Sequence, residues 1–98
     1  MKVFISQPMN GVDDHVVLKL RADAEKYLQD KYGDNVEILQ TFIYEDAPKD
    51  SGRLWYLGRS IQLLGQADAI YFVKGWQKAN GCIVESLIAS LYGIKTID

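Results

Sequence analysis

Trp76-Gln77-Lys78-Ala79-Asn80-Gly81-Cys82-Ile83-Val84-Glu85 lies between two different hydrophobic patterns. Before it, Ala69-Ile70-Tyr71-Phe72-Val73 is a continuous apolar run, the pattern of a strand buried on both faces. After it, Val84, Leu87, Ile88 and Leu91 recur at helical spacing and form one apolar stripe. The stretch therefore reads as a strand-to-helix loop. Asn80 suits an N-cap, and Gly81 lets the backbone approach something closely. Glu85 falls in the first helical turn, one position off the stripe. There free N–H groups and the helix dipole favour an ionised carboxylate. A carboxylate at the carboxyl edge of a central parallel strand stands where open α/β sheets bind ligands. The plainer alternative is a Glu that only decorates a helix N-terminus.

The chain has 98 residues, with 11 Lys plus Arg against 13 Asp plus Glu and a formal charge of −2. That length fits one domain. A domain this short buries only about two-thirds of the surface its unfolded chain exposes. Self-association would add stability, so a homodimer or higher homo-oligomer is expected. The mild acidity and the lack of a Lys/Arg cluster argue against a nucleic-acid polymer as partner. No apolar run is long enough to span a membrane, and the N-terminus lacks a signal-peptide pattern. The single cysteine, Cys82, excludes an internal disulfide and a multi-Cys zinc site, and fits a reducing cytoplasm. With His15 the only histidine, His-based metal sites and Ser-His-Asp chemistry are not expected either.

In chain order, Lys2-Val3-Phe4-Ile5-Ser6 is a first strand. Ser6-Gln7-Pro8-Met9-Asn10-Gly11 is a loop punctuated by Pro8 and Gly11. A first helix is expected from about Val12 to Tyr32, with Val17, Leu20, Ala24, Tyr27 and Leu28 on its apolar face. Gly33-Asp34-Asn35 ends it. Val36 to Phe42 reads as a second strand, whose partial alternation suits an edge position. Ile43 to Arg53 is a polar loop carrying Glu45 and Asp46. A second helix spans about Leu54 to Gln66, with Leu54, Leu57, Ile61 and Leu64 on one side. The third strand, the opening loop, the third helix and a last strand, Lys95-Thr96-Ile97, complete the chain.

Such alternation implies a single-domain three-layer α/β sandwich, flavodoxin/Rossmann-like, around a four-stranded parallel sheet of order 2-1-3-4. The order reverses between the first and third strands, which places a ligand crevice at their carboxyl ends. The loops Ser6 to Gly11 and Lys74 to Gly81 open onto it. The Glu45–Asp46 loop can fold over the top.

These residues also carry a family resemblance. The first strand leading into Gln7-Pro8-Met9, then Gln66-Ala67-Asp68-Ala69-Ile70, then Gly81-x-x-x-Glu85 and Tyr92-Gly93-Ile94-Lys95, together resemble the nucleoside 2-deoxyribosyltransferase-like superfamily over nearly the whole chain. The resemblance implies that Glu85 attacks the anomeric carbon of a nucleoside, forms a glycosyl-enzyme intermediate and expels the base. Another base or water then accepts the sugar. Related members hydrolyse nucleoside monophosphates. Retaining glycoside chemistry needs a carboxylate nucleophile and no metal or redox cofactor.

One departure matters. The catalytic enzymes of that superfamily carry an Asp eight residues before the Asp that matches Asp68; here that position is Ser60. Ser cannot manage the departing base's proton near neutral pH, so Asp46 is the best substitute acid. Asp68 itself, at the opposite edge of the sheet, reads as a structural turn residue. Ser6, Gln7, Pro8, Met9, Gly11, Asn80 and Gly81 are expected to line the substrate site. Arg59 and Ser60 are candidates for gripping a phosphate or a ribose hydroxyl; their plainer reading is a solvated helix face. Trp76 is expected to stack on a base, and Trp55 and Tyr56 to serve core or interface packing. Cys82 reads as a small residue beside the nucleophile, with no partner to activate it.

Two function classes result. One is an N-glycosidic hydrolase or transferase acting on a nucleoside or nucleotide. The other is a non-catalytic nucleotide-binding domain that kept the pocket and lost the general acid. Glu85 favours the first and Ser60 the second.

Overall fold

A computed structural model describes residues 1–40 and 47–98. The described residues form four parallel strands and three helices: β1 (Lys2–Ser6), α1 (Asp14–Tyr32), β2 (Glu37–Ile38), α2 (Arg53–Leu64), β3 (Ala69–Phe72), α3 (Asn80–Leu91) and β4 (Lys95–Ile97). Short 3₁₀ turns, Gly33–Asn35 and Trp76–Lys78, follow α1 and precede α3. The sheet order is β2-β1-β3-β4, all parallel. β1 and β3 are in register from Val3↔Ala69 to Ser6↔Phe72. The reversal of order falls between these two strands, where open α/β sheets bind their ligands.

Side chains alternate across each strand, and the core divides accordingly. Val3 and Ile5 pack on one face with Ala24 and Leu28 of α1. Phe4 and Ile70 pack on the other with Leu64 of α2 and Ala89 of α3. One helix therefore covers one face and two helices cover the other. Ser6 follows Phe4 on the face of α2 and α3, and Gln7 follows Ile5 on the face of α1. This two-sided assignment positions the whole site.

The boundaries differ from the sequence reading at instructive places. Regular pairing in β2 covers only Glu37–Ile38, extended by Leu39 N–H donating to Val3 O at 2.9 Å. Residues 41–42 of the expected strand, and Glu45 and Asp46, lie outside the described residues. The α1 face is Val17, Arg21, Ala24 and Leu28, while Tyr27 is exposed. Arg21 occupies a core position because its Nη2 donates to Leu39 O at 2.9 Å and its Nε lies 3.4 Å from Glu25 Oε1. Tyr27 turns outward to donate its hydroxyl to Asp98 O at 2.7 Å.

The largest correction concerns α3. Its buried residues are Cys82, Glu85 and Ala89 rather than the stripe Val84, Leu87, Ile88 and Leu91. Ile83, Leu87 and Leu91 are instead exposed. The helix is turned so that a carboxyl group faces the sheet, while of the expected stripe Ile88 stays half-buried against the core and Leu87 and Leu91 face outward. Hydropathy alone cannot anticipate that orientation. Among the described residues no helix is long and apolar enough to cross a membrane.

Candidate active site

β1 ends on Ser6, 1 % exposed, at the carboxyl edge of the sheet. Its hydroxyl donates to Glu85 Oε1 at 2.7 Å, joining β1 to α3 across 79 residues of chain. Glu85 is 6 % exposed. Its Oε2 takes no hydrogen bond from a described residue. It keeps the group's small solvent exposure, because Gln7 Oε1 is the one fully buried side-chain polar atom without a partner among the described residues. Cys82, one turn before Glu85, is 3 % exposed and lies against the same hydroxyl.

The electrostatics differ from the sequence expectation, and the reason is position in the helix. α3 begins at Asn80, with Ala79 as the N-cap residue and no side-chain cap. Asn80 is thus the first helical residue and is exposed. Glu85 is the sixth, beyond the first-turn N–H groups that would favour its charge. Burial dominates instead. It pushes the Glu85 carboxyl from an ordinary value of 4.5 up to about 7, against the opposing pull of the Ser6 hydrogen bond. Burial also raises the Cys82 thiol; the Ser6 bond opposes this and the Glu85 charge adds to it. The thiol therefore stays protonated at neutral pH, and its role is to fill space beside the carboxyl.

Beside this pair stands an aromatic wall. Phe72 is the register partner of Ser6, and the Trp76 ring packs on the Phe72 ring at 4.4 Å between centroids and 32° between planes. Gly75 makes this possible: at φ 92° it turns the chain into the Trp76–Lys78 turn, a conformation that side-chain-bearing residues rarely adopt. Trp55 and Tyr56 pack edge-to-face on each other at 5.1 Å.

Gln7 is 6 % exposed on the opposite side of the β1 end. Its Nε2 donates to Val17 O at 2.6 Å. Pro8 and Met9 are half-buried. Gly11 closes a turn in which Val12 N–H donates to Met9 O at 3.2 Å, and its φ of 75° gives it a backbone reason to be glycine. Gly81 has no such reason. A Cβ there would meet only Leu57 Cδ1 at 3.8 Å, an ordinary contact. Ser60 shares the inward side of α2 with Leu57, Ile61 and Leu64 by helical spacing. Arg59 lies off that side, with Nη1 donating to Gln62 Oε1 at 3.0 Å. Neither is hydrogen-bonded to the Ser6–Glu85 pair. Asp68 accepts the Lys2 N–H at 2.8 Å and fastens the start of β1 to β3, a structural task at the far edge.

The structure thus brings Ser6, Gln7, Trp76, Gly81 and Glu85 to one edge of the sheet. Sequence reasoning missed the contact of Cys82 with Ser6 and the support Phe72 gives Trp76. The in-register pairing of strands ending at Ser6 and Phe72 was the signal that could have found the second. The larger of the two cavities described, about 680 Å³, lies elsewhere: Ile61, Asp68, Ile88 and Gly93 line it near the amino edge of the sheet. Neither cavity includes Glu85. A buried carboxyl with a raised pKa at the strand-order reversal is a more specific sign of a functional site than cavity size.

The chain belongs to the family described as "Domain of unknown function (DUF4406)", whose model matches residues 1–98. No curated protein and no solved structure matches it.

The raised Glu85 pKa has a consequence for stability. Below pH 4.5 the carboxyl is protonated in both folded and unfolded chains, and no penalty arises. Between 4.5 and about 7 the unfolded chain releases its proton while the folded chain keeps it, so stability falls as pH rises. Above 7 the full penalty applies, about 3 kcal/mol at 1.4 kcal/mol per pKa unit. Urea denaturation at pH 5 and pH 8 should show the wild type losing stability relative to Glu85→Gln across that interval. Parallel pH profiles for the two proteins would mean that Glu85 is not a buried, proton-binding carboxyl.

Proposed function

We propose that this chain is a cytoplasmic enzyme that cleaves or transfers the N-glycosidic bond of a nucleoside or nucleotide, with Glu85 as nucleophile. The observation that carries the reading is the buried Glu85 carboxyl, held by Ser6 at the strand-order reversal with an aromatic wall beside it. In its ionised form, a carboxylate in apolar surroundings is poorly solvated and basic, which favours attack on carbon. The Ser6 bond leaves Oε2 free to form the new C–O bond at the anomeric carbon. As the C–N bond breaks, its electron pair leaves with the base, which takes up a proton from Asp46, the candidate acid from the sequence, or from water. Water or a second base then releases the sugar from Glu85. Phe72 and Trp76 offer a surface on which a planar base can stack.

Gly81 supports the same reading. No contact of the fold requires glycine there, so close backbone approach of a sugar is a better reason for it. Ser60 stands on the inward side of α2, where a hydroxyl suits hydrogen bonding better than proton transfer. That substitution favours the second reading, a nucleotide-binding domain without turnover.

Incubation with a panel of nucleosides and nucleoside monophosphates decides between them. Free base should appear, its rate should rise with pH to a plateau above about 7 as Glu85 ionises, and Glu85→Gln should lower turnover by several orders of magnitude, as expected for loss of a covalent nucleophile. Binding without base release would establish the binding-domain reading. Base release unchanged in Glu85→Gln would refute the assignment of Glu85.

The proposal includes self-association. Ile83, Leu87 and Leu91 recur every four residues along the outer side of α3 and are 46 %, 59 % and 70 % exposed. Such a continuous apolar row suits a second copy of the chain. Sedimentation at micromolar concentration should give at least a dimer; a monomer would contradict it.

A further inference from the structure

The Gln7 carboxamide is locked at one end and unmet at the other. It is 6 % exposed at the end of β1, adjoining Ser6. Its Nε2 donates to the Val17 carbonyl at 2.6 Å, and that carbonyl can only accept. Rotating the amide by half a turn would set Oε1 against the Val17 oxygen, so the orientation is fixed. Oε1 is then a buried acceptor with no donor from any described residue. Buried polar atoms are ordinarily satisfied, and each exception calls for a reason. Elsewhere in the described core the rule holds, including at Arg21, whose guanidinium meets Leu39 O. The exception falls just past the carboxyl end of β1, next to Ser6, at the edge where the strand order reverses.

We infer that Gln7 Oε1 is a specificity element that accepts a hydrogen bond from a donor on the bound ligand. The inference rests on the nucleoside reading above and narrows it. A nucleoside offers such a donor from two sources, an exocyclic amine of the base or a hydroxyl of the sugar. Both present an N–H or O–H to an oxygen that cannot donate in return. A ligand with a carbonyl or a bare C–H at that point leaves Oε1 unmet, and sites built to hydrogen-bond a ligand group discriminate strongly against analogues lacking it. Gln7 is on the α1 face and Ser6 on the α3 face, so the ligand end that meets Gln7 is not the atom that meets Glu85.

Calorimetric binding of adenosine, inosine, 2′-deoxyadenosine and 3′-deoxyadenosine to the wild type separates the sources. A base amine as donor predicts that adenosine binds at least about ten-fold tighter than inosine, which carries a carbonyl in place of the amine. A sugar donor predicts a like loss for one of the two deoxy compounds. In Gln7→Met the preferred pair should become nearly equal, with binding of the donor-lacking member unchanged or improved. A panel bound with no donor-dependent preference overturns this inference alone, and the wild type suffices to read that even where the variant does not fold. A preference that persists in folded Gln7→Met also overturns it. Failure of every member to bind removes the nucleoside reading itself, and this inference with it.

Discussion

The Ser6–Glu85 hydrogen bond, 2.7 Å long and buried between β1 and α3, is the constraint around which the rest of the chain is arranged. It requires α3 to turn a carboxyl toward the sheet. That rotation leaves Ile83, Leu87 and Leu91 outside and places Cys82 and Ala89 inside. It also requires β1 to end with Ser6 on the α3 face, which the alternation from Phe4 provides. Burial of the carboxyl opposes folding once the unfolded chain can ionise. Two cores, one on each face of the sheet, offset that opposition. Such tension between a destabilising group and a well-packed frame is common at functional sites.

The fold was legible in the sequence because its signals are redundant. The apolar run Ala69–Val73, the short strands at each end, and helical spacing in between all point to parallel strands joined by crossovers, and the order 2-1-3-4 is what the structure has. The position of Glu85 near the crevice was legible for the same reason. Its environment was not. Hydropathy rewards the stripe of Val84, Leu87, Ile88 and Leu91, so a Glu one position away reads as solvated. Its buried partner, the hydroxyl of Ser6, lies some eighty residues earlier. Arg21 repeats the lesson on the other face: a charged side chain occupies a core position because a carbonyl, Leu39 O, is there to receive it. Asn80 looked like a cap, and it is instead the first helical residue, with Ala79 in the cap position. In each case a distant partner decides the outcome, and local pattern carries no record of it.

The two edges of the sheet have different work. At the amino edge Asp68 accepts the Lys2 N–H, and Met1's ammonium donates to Asn35 O at 2.6 Å. These bonds fasten strand starts. At the carboxyl edge Glu85 Oε2 and Gln7 Oε1 both lack protein donors among the described residues. The side-chain oxygens without a protein partner thus gather at the edge where open α/β sheets bind ligands.

The central claim is that Glu85 forms a covalent bond to the anomeric carbon, and trapping that bond tests it most directly. A 2-fluoro nucleoside slows breakdown of a glycosyl-enzyme more than a normal sugar does, because the fluorine destabilises the oxocarbenium-like transition state. Intact-mass spectrometry after incubation should show the chain heavier by one fluorosugar, and peptide mapping should place the added mass on Glu85. Base release with no adduct, or an adduct on any other residue, would contradict the account.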